Sequence, residues 1–229
     1  MKKLVLASIT MAAIGCSASA LAFDFSKVTS AVSAVSGSSA NNTADLSGFL
    51  ANAELVNNLF STSRTQLALM LTDQKTAAEL QAKLDSLKNT SDAKERAATQ
   101  AQINTMSQAV LDAAKKDQDA AVAQLQSAST AKKEKAVAAL TNFGLAALKA
   151  SDLAPQGKAV SSNLMTNPTL LLNSGYNASQ FKDLYSNLTG IASNSAFALK
   201  DMPKIFLNAK IKVEMPTSSA SKPVEIKDL

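Results

Sequence analysis

The chain has 229 residues, no histidine, one cysteine and a formal net charge of +5, with few aromatic residues and no tryptophan. Without histidine, a Ser-His-Asp triad, a His-Glu-x-x-His zinc site, a Glu-x-x-His di-metal bundle and haem attachment through Cys-x-x-Cys-His are all excluded. The mild basic excess favours solubility and gives no ground for nucleic-acid binding.

Met1-Lys2-Lys3 is a short basic start, followed by an apolar run from Leu4 to Gly15 and by small residues ending in Ala20-Leu21-Ala22. That order is the anatomy of a secretory signal peptide, and its apolar part is too short for a permanent membrane anchor. Cleavage after Ala22 is expected, giving a mature chain that starts at Phe23 and loses two lysines and no acids. The alternative is lipidation at Cys16, which follows Ile14-Gly15. Ala13 stands three residues before it, where lipoprotein signals usually carry leucine. The expected location is periplasmic or secreted, with an outer-membrane lipoprotein as the alternative. If Cys16 is removed, the mature chain has no cysteine and must hold together by burial, for which about 200 residues suffice.

Residues 23–45 read as a short helix carrying Val28, Val32 and Val35, then a flexible, small and polar linker. Residues 46–208 read as one helical domain. Abundant alanine, leucine, lysine and glutamine favour helix, and strand-like alternation is nearly missing. A first long helix is expected from about Thr43 to Lys88. Leu46, Phe49, Leu50, Ala53, Val56, Phe60, Leu67, Met70, Leu71, Leu80, Leu84 and Leu87 form its apolar stripe. Asn89-Thr90-Ser91-Asp92 ends it, and Asp92 with Glu95 has capping-box spacing for the next helix. That helix should run to about Ser127, with Ile103, Met106, Val110, Leu111, Val122 and Leu125 set in an alanine seam. The two together predict a slender antiparallel hairpin.

A third helix is expected from Thr130, ending or kinking near Pro155. Val160, Leu164 and Met165 suggest a short helix before Asn167-Pro168. Leu170-Leu171-Leu172 and a turn at Asn173-Ser174-Gly175 follow. Asn177 with Gln180 forms a capping box, flanked by Tyr176 and Phe181 at staple positions. The last helix should continue through Leu184, Leu188, Ile191 and Phe197 to about Asp201-Met202-Pro203. Residues 209–229 change character: Ala209, Ile211 and Val213 alternate with charges, as do Val224 and Ile226. A short β-hairpin turning through residues 216–222, or a disordered tail, is expected. The fold class is therefore all-α, an elongated bundle of about four to five helices built around a long hairpin.

Motifs with chemistry are weak. Ser-x-x-Lys occurs at Ser91/Lys94, Ser129/Lys132 and Ser179/Lys182, but the Lys-Thr-Gly strand that serine hydrolases pair with it is missing. Helix capping explains Ser91 and Ser129 better. Asp112, Asp117 and Asp119 lie in a predicted helix without the glycine turn of a calcium loop, and read as a solvated face. Lys132, Lys133 and Lys135 precede an apolar helix with Phe143. They read as its solvated start, with an anionic membrane surface as the alternative partner. The uncharged residues 159–181 are long enough to span a membrane, but their asparagines, Pro168 and Gly175 argue against it. They read as a buried connector, or as lining for an apolar pocket.

The functional expectation is an exported, non-enzymatic helical protein that docks another protein, self-associates or acts as a spacer. It needs no cofactor and no metal, and has no catalytic residues to name. Leu67, Met70, Leu71, Ile103 and Met106 are the candidate interaction surface, and equally candidates for the internal core. A carrier of a lipid or other apolar ligand between helices is the second expectation, and a membrane-active helical protein the third.

Overall fold

The computed structural model describes residues 46–167, 169 and 176–226. The expected signal peptide, Cys16, the helix and linker of residues 23–45, Leu170–Leu172 with the turn after them, and residues 227–229 lie outside the described residues. Within them, all regular structure is helical. The helices are α1 (Leu46–Leu71), α2 (Gln74–Asn89), α3 (Ala93–Lys116), α4 (Gln118–Ser127), α5 (Thr130–Thr166), α6 (Ala178–Ser193) and α7 (Met202–Asn208), with a π turn at Phe197–Asp201 before α7. The all-α bundle read from the sequence is the fold.

Helices α1 and α5 form the spine. They run antiparallel, as the pairing of Phe60 with Phe143 (ring centroids 4.7 Å apart) and the approach of Phe49 to Gly157 require. Two apolar cores sit along this spine. One joins Phe49, Leu50, Val56 and Leu59 of α1 with Leu145, Leu153, Val160 and Leu164 of α5 and Phe181, Leu184, Leu188 and Ile191 of α6. The other joins Leu67, Met70 and Leu71 to Leu80, Ile103, Leu111 and Leu125, to Leu140 and Phe143, and to Met202, Ile205 and Phe206. Phe60 packs against both.

The two long helices expected at residues 43–88 and 92–127 are each broken. Asp73 leaves the helical conformation and accepts the Thr76 N–H at 2.9 Å, starting α2 afresh. Asp117 ends α3 and caps α4, accepting the Ala120 N–H at 3.0 Å. Asp92 caps α3 as its spacing predicted, accepting the Glu95 N–H at 2.8 Å. Of the expected long antiparallel hairpin only the α2–α3 part forms. Arg96 closes its tip by donating to the Leu87 and Thr90 carbonyls, which α2 leaves without helical partners. Helix α3 then runs parallel to α1 along a polar seam. There Ser61 donates to Asn104 at 2.8 Å, Ser107 to Thr65 at 3.2 Å, and Arg64 to Gln108 at 3.3 Å.

Pro155 does not end the third helix. Helix α5 passes through it to Thr166 and absorbs the separate short helix expected at Val160 and Leu164. The proline costs the helix interior about 3 kcal/mol. Leu153 before it and Val160 and Leu164 after it are buried in the same core, each stabilising by roughly 1.5–3 kcal/mol. Burial on both sides outweighs the lost hydrogen bond, and the ring itself faces solvent.

Asn177 and Gln180 form the reciprocal capping box that opens α6, at 2.9 Å each way. Tyr176 packs against the core that holds Phe181. Burial raises the Tyr176 hydroxyl pKa well above its ordinary value, and a hydrogen bond with Glu54 of α1 adds to the shift. The helical path does not stop at Pro203. Pro203 sits directly after the π turn, in the first turn of α7.

The expected hairpin or disordered tail is neither. Residues 211–226 form an extended strap, without strand pairing, laid on α5. It leaves α7 through a Schellman turn in which Ile211 N–H donates to Phe206 and Lys210 N–H to Leu207, both at 2.9 Å. Lys210 takes the left-handed position at φ 61°. Ile211, Val213, Met215 and Ile226 pack on the second core. The backbone of Val224 bonds to an α5 side chain, Asn142, which donates to its carbonyl at 2.8 Å and accepts its N–H at 2.7 Å. Alternation therefore marked burial against a helix, with Asn142 supplying what a neighbouring strand would have supplied.

Candidate functional site: an alanine-lined groove

The two aspartate breaks place a groove where α1 ends, α2 begins and α3 passes into α4. Its volume is about 500 Å³, and its lining includes Leu71, Thr72, Asp73, Thr76, Met106, Val110, Ala113, Asp117, Ala120 and Gln124. Its floor comes from the second core: Leu71, Val110, Ala114 and Ala121 are all buried. Its α3–α4 wall is a seam of Met106, Val110, Ala113, Asp117, Ala120 and Gln124, spaced alternately by four and three residues. On each side of the Asp117 break that is the spacing of one helix face, so α3 and α4 each present a short stripe to the groove. Because Ala113 and Ala120 carry only a methyl group, a chain lying on the stripe can approach the helix backbone closely.

Asp73 and Asp117 are the titratable groups of the lining. Both carboxylates already serve as caps. The Thr76 backbone N–H, with the Thr76 hydroxyl at 3.0 Å, holds the Asp73 pKa below its ordinary 3.8. Asp73 is thus an anion at neutral pH and has no proton to give. Within the lining the Thr76 hydroxyl donates to the Asp73 carboxylate, and the pair serves as the cap of α2. The groove can bind by shape and apolar contact, with negative charge at its edge. Among the described residues no cluster of three or more acidic, histidine or cysteine side chains is placed to hold a metal. No described helix is long and apolar enough to cross a membrane.

The five residues singled out from the sequence divide here. Leu67 and Ile103 are fully buried, and Met70 and Leu71 nearly so. Of the two readings open for that set, the core reading describes these four: their side chains fill the second core, because α1, α2 and α3 close over them. Met106 is partly buried and, with Leu71, reaches the groove. The residues that shape the groove and were not singled out for it are Asp73, Ala113 and Ala120. A cap signal was readable at Thr72-Asp73, three residues before Thr76.

The remaining motifs have structural employment. Ser129 caps α5, accepting the Lys132 N–H at 3.4 Å, whereas Asp92 rather than Ser91 caps α3. Lys133 donates to the Gln126 carbonyl near the end of α4 at 2.9 Å, as a cation at a helix C-terminus should. Asp112 and Asp119 are solvent-exposed, and Asp112 accepts from Gln108. No family model matches the chain, and neither does any curated protein or solved structure.

Proposed function

We propose that the protein is an exported, non-enzymatic docking module that receives a helix of another protein, or of a second copy, in the α3–α4 groove. The observation that carries this reading is the seam from Met106 to Gln124, which lies over a floor already packed by the core. Its α3 part, Met106 to Ala113, spans about 10 Å at 1.5 Å per residue, some two turns, and its α4 part, Ala120 to Gln124, adds about one turn beyond the Asp117 break. Export rests on the basic, apolar and small-residue order of residues 1–22. Intact mass of the natural product tests it: a chain beginning at Phe23 supports export as a free protein, and an acylated Cys16 supports a tethered one.

A photo-crosslinking residue at Ala113, introduced in the cell that makes the protein, tests docking. Ala98 is exposed on α3 outside the groove lining and serves as the control. A discrete adduct from position 113 and none from position 98 supports the reading. Equal labelling, or none at either position, overturns it.

One observation favours a second reading, carriage of a small apolar ligand. A volume of about 500 Å³ falls within the roughly 300–1,000 Å³ of ordinary ligand pockets. Organic extraction of the purified protein followed by mass spectrometry separates the two. A stoichiometric lipid or other apolar molecule indicates a carrier, and a clean extract indicates docking.

A further inference from the structure

The C-terminal strap lies far from the groove in sequence, yet it is packed into the same core. Three α5 side chains hold it, and each contacts strap backbone. Thr141 donates to the Glu214 carbonyl at 3.5 Å, Lys149 to the Ser219 carbonyl at 2.5 Å, and the fully buried Asn142 pairs both polar groups of Val224. The strap thus runs out along α5 to Lys149, turns at residues 217–221 and comes back to Asn142. Met215 and Pro216 seat over Gly144, where a Cβ would collide with the Met215 methyl group. Ile226 is buried at the far end, whereas Val224 itself remains 42% exposed. Ile211, Val213, Met215 and Ile226 pack this segment on the second core, and its polar anchors do not depend on its own side chains.

Upstream, the Schellman turn joins the strap rigidly to α7. Helix α7 in turn packs on α4. Ile205 and Phe206 share one core with Ala121 and Leu125 of α4 and with Val110 and Ala114 of α3. Ala121, Val110 and Ala114 are also groove lining.

We propose that the strap is a latch: docked on α5 through Asn142 and Lys149, it holds α7 against α4 and so sets the wall of the groove. Undocking leaves α7 with one flank uncovered and lets α4, a helix of ten residues, move at its Asp117 hinge. The coupling belongs to the packing and stands whether the groove takes a helix, an apolar molecule or nothing.

Hydrogen exchange followed by mass spectrometry on the full-length mature chain tests it. Asn142→Ala leaves the Val224 N–H and carbonyl without their partner. Protection of strap amides should fall about tenfold or more. Amides of α7 and α4 should lose protection in parallel, while those of α6 stay within about twofold of the parent. Lys149→Met weakens the strap at its tip without opening the core, and should give the same pattern at smaller amplitude. It supplies the answer if Asn142→Ala fails to fold. Faster exchange confined to the strap overturns the latch and makes the strap a passive cover. An equal loss in every helix, α6 included, overturns it as well, and so does an unchanged strap. Photo-crosslinking at Ala113 is read separately, so failure of the docking reading would not be mistaken for failure of the latch.

Discussion

Gly157 sits in the interior of α5, where glycine is ordinarily a liability. Replacing an interior helical glycine by alanine stabilises by roughly 0.5–1 kcal/mol when the site has room. Here it has none. A Cβ at 157 would lie 2.5 and 2.6 Å from two ring carbons of Tyr185 and 2.8 Å from the Phe49 ring. Neither ring moves easily. Phe181 stacks on Tyr185 at 6.3 Å and lies 6.0 Å from Phe49, so the three rings lock one another. Overpacking of this kind costs about 1–3 kcal/mol. Gly157→Ala should therefore destabilise by up to about 2.5 kcal/mol net, lowering Tm by up to roughly 10 °C for a chain of this size. Gly190 in α6 is the internal control, because nothing lies within 4 Å of its Cβ position. Gly190→Ala should stabilise, by up to about 1 kcal/mol. Urea titrations of both variants read the sign directly. If both are stabilising, α5 and α6 are not in contact at Gly157, and the first core is wrong as described.

Leu67→Ala opens a cavity in the second core and should cost about 2–5 kcal/mol by chemical denaturation. Leu207→Ser, at a site 70% exposed, should stay within about 0.5 kcal/mol of the parent. Lys210→Gly relieves a left-handed lysine at φ 61°. It should raise stability by up to about 1 kcal/mol after the added freedom of the unfolded chain is set against the relief, which a raised denaturation midpoint would register. Asp73→Ala removes the α2 cap and should lower Tm at neutral pH. The Asp73 pKa in the folded chain lies below 3.8, depressed chiefly by the Thr76 N–H. The cap's contribution is therefore complete above that value and disappears as pH falls through the folded pKa. The Tm gap between Asp73→Ala and the parent should close over that acid range, and a gap independent of pH would refute the charged cap.

What could be read along the chain, and what could not, follows from how far each cause reaches. The helical stripes of α1 and α6 and the Asn177–Gln180 box are set by residues three or four apart, and they were legible. Aspartate serves equally as a cap and as an exposed residue within a helix, so Asp73 and Asp117 did not by themselves outweigh the apolar periodicity that runs past them. Pro155 read as an end or a kink because its cost is local, whereas the partners that bury Leu153, Val160 and Leu164 lie on other helices. The strap was least legible. Its alternation suggested strands, but the partner of Val224 is a side chain 82 residues away. No local pattern encodes that pairing. For the groove, Met106 was visible as an apolar residue. Ala113 and Ala120 were not, because alanine is also the strongest helix former and needs no surface to explain it.

That double meaning of alanine is what a docking reading must overcome. If Ala113 is present only for helix propensity, glutamate should replace it with little consequence. Ala113 is exposed, the propensity difference is a fraction of a kcal/mol, and surface changes of this kind usually stay within about 0.5 kcal/mol. If it is present so that another chain can approach, Ala113→Glu puts a long, charged side chain into the groove beside Asp117 and blocks the approach at the same small cost in stability. A crosslinker at Ala120 reports the outcome. The adduct should disappear in Ala113→Glu while the melting curve barely moves. An adduct that persists at full yield would mean that the seam is an ordinary helix surface and that docking takes place elsewhere.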